Sequence, residues 1–344
     1  MTFFQTFAPG IAICLTATSL SADTTLRYSN WLPTTHPFMS EVIQPWIEDV
    51  AEATEGRVTV EILPKVVGTV PTQFEVVRDG LADMSLIVDG YSAGRFNLNG
   101  IVELPFLGND ARAISIAYWR IYKKYLEQFA EYENAIPVAK SSVGPMALAT
   151  GPGPIDSMDK LKGLKLRVPT ATGSKVVVSL GGAPVNKPIS EMYELISTGV
   201  VDGMISSTET INSFKIAGSI GNLLTVPGGL GSAGISFVVN EDTLSELSEA
   251  DQEAFWSVSG EVFSTGIAEV YHQLNARGRQ DVLDEGGTIT PASEEMIQAL
   301  KENLASIDQT WIDKATEMGL EDAAGVLAEF RAEIAKEEAK LAGE

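Results

Sequence analysis

The chain has 344 residues, 44% of them hydrophobic, and carries 46 acidic against 24 basic side chains for a net charge of −22. That length suits two packed lobes better than one ordinary domain, and the hydrophobic share excludes a disordered chain. No basic patch interrupts the acidic balance, which excludes nucleic acid as a partner and means that a bound anion must be held by locally aimed donors.

Residues 1–22 contain no charged side chain, and "IAICLTATSL" is a short apolar run that ends in the small residues of "SLSA". This reads as a secretory signal cut near Ser21 or Ala22. Cys14, the only cysteine, would leave with it, so the mature protein would have no thiol or disulfide. That suits a bacterial periplasm.

"TTLRYSNWL" predicts a strand, and Phe38, Val42, Ile43, Trp46, Ile47 and Val50 give the next segment helical spacing up to Gly56. "RVTVEILP" alternates as a half-buried strand, "TQFEVVRDGLA" reads as a helix, and "DMSLIVDG" as a buried strand. This βαβαβ rhythm predicts an α/β lobe with a largely parallel sheet. A helix follows over 111–132, and "AIPVAKSSVGPMALATG" leaves the lobe as extended chain.

In the second lobe "LKLRVP" is a strand, "ATGSKVVVSLGG" a helix, and "APVNKP" a strand or loop. "ISEMYELISTG" is a helix with Ser190 as N-cap, and "VDGMISS" is a strand. "LLTVPGGLGSAGISFVVN" returns as extended chain, and nearly everything after Glu241 reads as helix. The chain is expected to cross between lobes near 145–150 and again near 230–238, leaving an interlobe cleft and a hinge. The expected lobes are 23–147 plus 236–275, and 148–235 plus 276–344.

Catalytic sets are thin. His36 and His272, the only histidines, have no partners at metal spacing. "SMDK" lacks the companion boxes of the acyl enzymes that share S-x-x-K, and Ser157 reads as a turn cap. Gly229, Gly231 and Gly234 spell a dinucleotide fingerprint but lead into a strand, so they read as a flexible crossing. Arg167 stands apart. Leu166 and Val168 flank it and Pro169 ends its strand, which places the guanidinium near a sheet's carboxyl edge, where open α/β sheets bind ligands. A buried arginine needs an anion, and its planar fork fits a carboxylate. That carboxylate is either one of the chain's own or a ligand's.

The ordered segments "DGLADMSLIVDGYSAGRFNLNGIVELPFL", "LKGLKLRVPT" and "GGAPVNKPISEMYELISTGVVDG" resemble the solute-binding proteins of TRAP (tripartite ATP-independent periplasmic) transporters. The resemblance runs from "WLPTTHP" to the C-terminal helices. It implies a two-lobed periplasmic-binding-protein-like α/β fold that closes on an organic anion and docks on membrane permease subunits. The family's near-invariant arginine, which pairs with the ligand carboxylate, falls on Arg167. Where dicarboxylate binders often place a second cationic or polar group, this chain has Met146. Where many members carry Asn after the "DG" turn, it has Ser206, Ser207 and Thr208. "GGLGSAG" supplies no acidic residue for the metal-bridged branch, so no metal or cofactor is expected.

The expectation is therefore a receptor rather than an enzyme, binding an organic acid, best a monocarboxylate, aromatic or hydroxylated. Arg167 would anchor it, Ser207, Thr208 and Asn186 would supply polar contacts, and Trp31, Tyr91, Met146 and Phe214 would line the pocket. Lys187 could serve a second acid group. A dicarboxylate or sugar acid in the same system, a binding protein for an ABC importer or sensor, and a hydrolase or lyase on a similar scaffold remain the alternatives. The protein is expected as a monomer or homodimer.

Overall fold

The computed structural model describes residues 24–343; the expected signal segment and Cys14 lie outside them. Eleven strands appear in chain order: β1 (Thr24–Ser29), β2 (Val58–Ile62), β3 (Met84–Val88), β4 (Ala135–Ser142), β5 (Ala147–Thr150), β6 (Lys165–Val168), β7 (Ala183–Asn186), β8 (Gly203–Ser206), β9 (Asn222–Thr225), β10 (Gly234–Asn240) and β11 (Thr288–Pro291). They form two sheets, ordered β2-β1-β3-β10-β4 and β11-β9-β5-β8-β6-β7. In the first, β1 runs parallel to β2 and β3, as the βαβ rhythm predicts, while β10 enters antiparallel between β3 and β4. In the second, β6 is parallel to β7 and β8, and β5 lies antiparallel between β8 and β9. Two short connections, 143–146 and 226–233, carry the chain between sheets.

Local chemistry explains the elements that carry the site. β6 ends at Val168, Pro169 breaks it, and the Thr170 hydroxyl accepts the Gly173 N–H at 2.9 Å to cap the helix Ala171–Ser179. The helix Gln44–Ala53 continues without a break from the π-turn Met39–Ile43, with Pro45 at the junction. At its end the Thr54 hydroxyl donates to Val50 O (2.7 Å) and accepts from Val58 N (3.1 Å), tying the helix to β2.

Two expectations fail. Ser190 is not an N-cap: it lies inside the 3-10 turn Ile189–Glu191, and the helix Met192–Ser197 begins without a side-chain cap. The stretch after Glu241 is nearly all helix, as expected, with β11 as its one strand among the described residues, pairing in parallel with β9 along Thr288–Pro291. Residues 276–344 do not all belong with the second sheet. The helix Ala323–Leu341 packs on the helix Ala111–Ile121 beside β4, where Arg120 Nη1 reaches Glu333 (2.7 Å) and Glu337 (2.8 Å) and the Tyr118 and Phe330 rings meet. The apolar faces of the two helices find their cover there rather than on the second sheet.

A third tie joins the two halves. The helix Glu261–Asp284 packs on the helix Ala111–Ile121 and β4 of one half, and on the helix Glu209–Ser213 and β11 of the other. Early in it Ser264 accepts the Lys140 N–H at 3.0 Å; late in it Asp281 accepts the Asn212 amide at 2.6 Å. Gly278 is required at the crossing, because a Cβ there would sit 1.8 Å from the Thr208 carbonyl oxygen. Gly278→Ala is expected to destabilise the protein by about 1–3 kcal/mol through overpacking. A lower urea midpoint at unchanged m-value checks this; an unchanged midpoint would mean that the contact yields freely.

Candidate functional site

Arg167 is the largest fully buried side chain, 1% exposed, on the third residue of β6. Its Nε donates to the Lys187 carbonyl at 2.7 Å, Nη2 to the Tyr91 hydroxyl at 3.1 Å and Nη1 to Ser206 Oγ at a long 3.5 Å. Among the described residues no carboxylate lies within 4 Å of it. The structural ion pair that the sequence left open is therefore absent from the described residues. Burial lowers the guanidinium's pKa from the ordinary arginine value, and Tyr91, with Glu191 at longer range, offsets this in part. A guanidinium has more N–H donors than these neutral contacts use.

The guanidinium borders a small cavity lined by residues from both sheets. Trp31, Tyr91, Met146, Ser207 and Phe214 share this cavity with Arg167. The Trp31 indole N–H is tied to Leu86 O at 2.8 Å, which fixes the ring. Leu86, Val88, Ile189 and Tyr271 complete much of the apolar wall. The Tyr91 oxygen accepts from both Arg167 and the Ile189 N–H (2.9 Å), so its own proton remains to be donated.

Two expected site residues sit elsewhere. Asn186 is exposed at the end of β7, and its side chain is not at the cavity. The register pairs Arg167 with Val185 and Val168 with Asn186, so strand alternation turns the asparagine away. Thr208 is buried but faces the crossing helix, donating to the Asn275 carbonyl at 2.7 Å. The Lys187 side chain is absent from the cavity wall and pairs with Glu191 at 3.0 Å at the surface; only its backbone carbonyl serves the site.

Sequence reasoning missed several wall residues. Ser206 was noted among the hydroxyl-bearing residues after the turn but not placed at the site. His36, set aside for want of a metal partner, and Glu209 meet across the cavity wall at 3.4 Å, 3% and 4% exposed. A histidine just before a proline and a glutamate opening a short helix after the serines carry no shared pattern that would mark them as a pair.

The Tyr91 turn is held from behind. Asp89 Oδ2 accepts from the Tyr118 hydroxyl (2.9 Å) and Lys140 Nζ (3.2 Å), and Oδ1 from the Ser236 hydroxyl (2.9 Å). Lys140 is fully buried over the faces of Tyr118, Tyr122 and Tyr132. Burial pulls its pKa down to about 8 against the opposing pull of Asp89.

Beside this turn the two halves touch. A Cβ on Gly90 would stand 2.6 Å from Thr170 Cγ2, and the Glu103 carboxyl faces the Thr170 and Thr172 hydroxyls at the start of the helix Ala171–Ser179.

The profile of the family described as "Bacterial extracellular solute-binding protein, family 7" matches residues 28–314. The chain belongs to this family, the solute-binding proteins of TRAP transporters. Several solved relatives share its two-lobed fold. A TRAP periplasmic solute-binding protein from Bordetella bronchiseptica, with (R)- and (S)-mandelate bound, is 34% identical, with a TM-score of 0.87 over 91% of this chain and 99% of that one. One from Rhodoferax ferrireducens, with copurified benzoate, is 26% identical, with a TM-score of 0.86 over 93% and 99%. A marine metagenome protein specific for aromatic acids, in complex with 3-hydroxybenzoate, is 27% identical, with a TM-score of 0.85 over 92% and 99%. This family consists of periplasmic receptors that bind organic acids for transport. Among the described residues of this receptor, no helix is long and apolar enough to cross a membrane.

Glu103 gives the receptor a pH dependence. Burial pushes its carboxyl from 4.5 up to about 7, against the hydrogen bonds of Thr172 and Thr170. Below pH 4.5 the group is protonated folded or unfolded and costs nothing. As pH rises towards 7 the unfolded chain releases the proton first, so stability falls, by on the order of 3 kcal/mol in all, and then levels off. Urea midpoints of the ligand-free wild type should fall across this window relative to Glu103→Gln; parallel curves for the two proteins would refute the assignment.

Proposed function

We propose that this protein is a non-enzymatic periplasmic receptor that captures an aromatic monocarboxylate in the cleft between its two sheets and delivers it to a TRAP membrane permease. The observation that carries this reading is Arg167: a buried cation beside an apolar cavity, with no carboxylate among the described residues within ion-pair distance. Leaving a charge buried without a counter-ion is costly, and a ligand carboxylate removes that cost with a bidentate, charge-assisted pair. The Tyr91 hydroxyl supplies a further donor next to it.

Monocarboxylates are favoured over diacids because Lys187, the lysine that the sequence offers for a second acid, points outward to Glu191. The fixed Trp31 and the Phe214 and Tyr271 rings favour a flat apolar body. The aromatic acids held by three related structures support the same class. We further take the connections 143–146 and 226–233 as the hinge, with one lobe around each sheet.

Two measurements test this. In a thermal-shift screen, aromatic monoacids should raise the melting temperature more than diacids or sugar acids, since only the folded, closed form binds. By calorimetry, Arg167→Ala should weaken the best acid by about 3 kcal/mol, on the order of 100-fold, while remaining folded. Near-unchanged affinity in the folded variant would overturn the anchor role.

A further inference from the structure

The same cavity holds a second buried charge. Glu209 lines it, 3% exposed, with no lysine or arginine within 4 Å among the described residues. Its only side-chain donors there are distant. The Ser207 hydroxyl reaches Oε2 at 3.3 Å and His36 Nε2 stands 3.4 Å from Oε1. His36 Nδ1 accepts the Phe38 N–H at 3.1 Å, which leaves the ring proton on Nε2, towards Glu209. The ring is set edge-on against both Phe38 and Phe214. His36 is thus a positioning residue for the carboxylate. Glu209 is further fixed through its backbone N–H, which donates to Asn275 Oδ1 at 2.9 Å.

A buried carboxylate has lone pairs for several donors, and two long contacts leave most of that capacity unused. The cavity therefore has a cationic pole without an acid, at Arg167, and a carboxylate with only two long contacts, at Glu209. We infer that Glu209, positioned by His36, is a specificity residue that accepts a hydrogen bond from a hydroxyl on the ligand, so that the receptor selects hydroxylated aromatic monocarboxylates over their unsubstituted parents. This rests on the aromatic-acid reading above. A hydroxyl fits better than an ammonium. It brings one donor to one carboxylate, whereas an ammonium must shed the whole hydration shell of a full charge to enter a cavity walled largely by Trp31, Leu32, Leu86, Val88 and Phe214. The apolar parent ring would leave Glu209 desolvated with only its two long contacts, which is the larger part of the discrimination.

The test is calorimetry of the full mature protein against benzoate, the 2-, 3- and 4-hydroxybenzoates and 3-(aminomethyl)benzoate, on wild type and on Glu209→Gln. At least one hydroxybenzoate should bind wild type about ten-fold or more tighter than benzoate. In Glu209→Gln that preference should shrink to about two-fold, with benzoate itself bound no more weakly. The wild-type ranking requires no variant to fold. Benzoate binding with no gain from any hydroxyl position overturns this inference alone, as does a preference that survives Glu209→Gln. A gain confined to the ammonium compound overturns the hydroxyl class. Failure of every one of these acids to bind wild type overturns the aromatic-acid reading and this inference with it.

Discussion

The buried guanidinium of Arg167 is the constraint around which the molecule is arranged. Water cannot solvate it, none of the described acids reaches it, and its protein contacts are a carbonyl and two hydroxyls. Each of those neutral groups comes from a different element: the segment after β7, the turn after β3 and the end of β8. Bringing them to one point requires both sheets, and the tyrosine that completes the set comes from the other half of the molecule. The fold thus spends its architecture on holding a cation in a place where only a ligand can finish neutralising it.

The support for that arrangement is layered. Tyr91 is steered by the Asp89–Lys140 network behind it, Arg167 by the proline stop and threonine cap that end β6, and Ser206 by the end of β8. These supports are themselves buried and mutually bonded, which removes rotamer freedom before any ligand arrives. The cavity's two charged poles are not paired with each other, so neither is cancelled in advance.

Much of this was legible in the sequence, for identifiable reasons. Arg167 stood out because a lone cation between Leu166 and Val168 conflicts with its surroundings, and such conflicts mark functional sites. The parallel first sheet followed from alternating periodicities of two and 3.6, which short-range pattern carries well. Trp31 and Tyr91 lay just past the ends of strands, where the cleft had to be. The failures share a different cause. Thr208 was grouped with Ser206 and Ser207 by adjacency, yet the chain turns there and Gly278 brings the crossing helix against it. Asn186 was lost to strand parity. The His36–Glu209 pair joins residues from opposite halves of the molecule, and nothing local in either segment announces the other. β11 is four residues of β-prone chain between two long helices, too short for periodicity to separate from a loop.

The helix Glu261–Asp284 touches both halves and meets the cavity through Tyr271 alone among its residues. If capture requires the halves to approach, apparent affinity is the intrinsic affinity reduced by the fraction of molecules already in the competent arrangement. Every contact along this helix contributes to that fraction. Selection could therefore tune how tightly the receptor holds its acid, and how readily it hands it on, through residues that never meet the ligand, leaving the recognition chemistry intact.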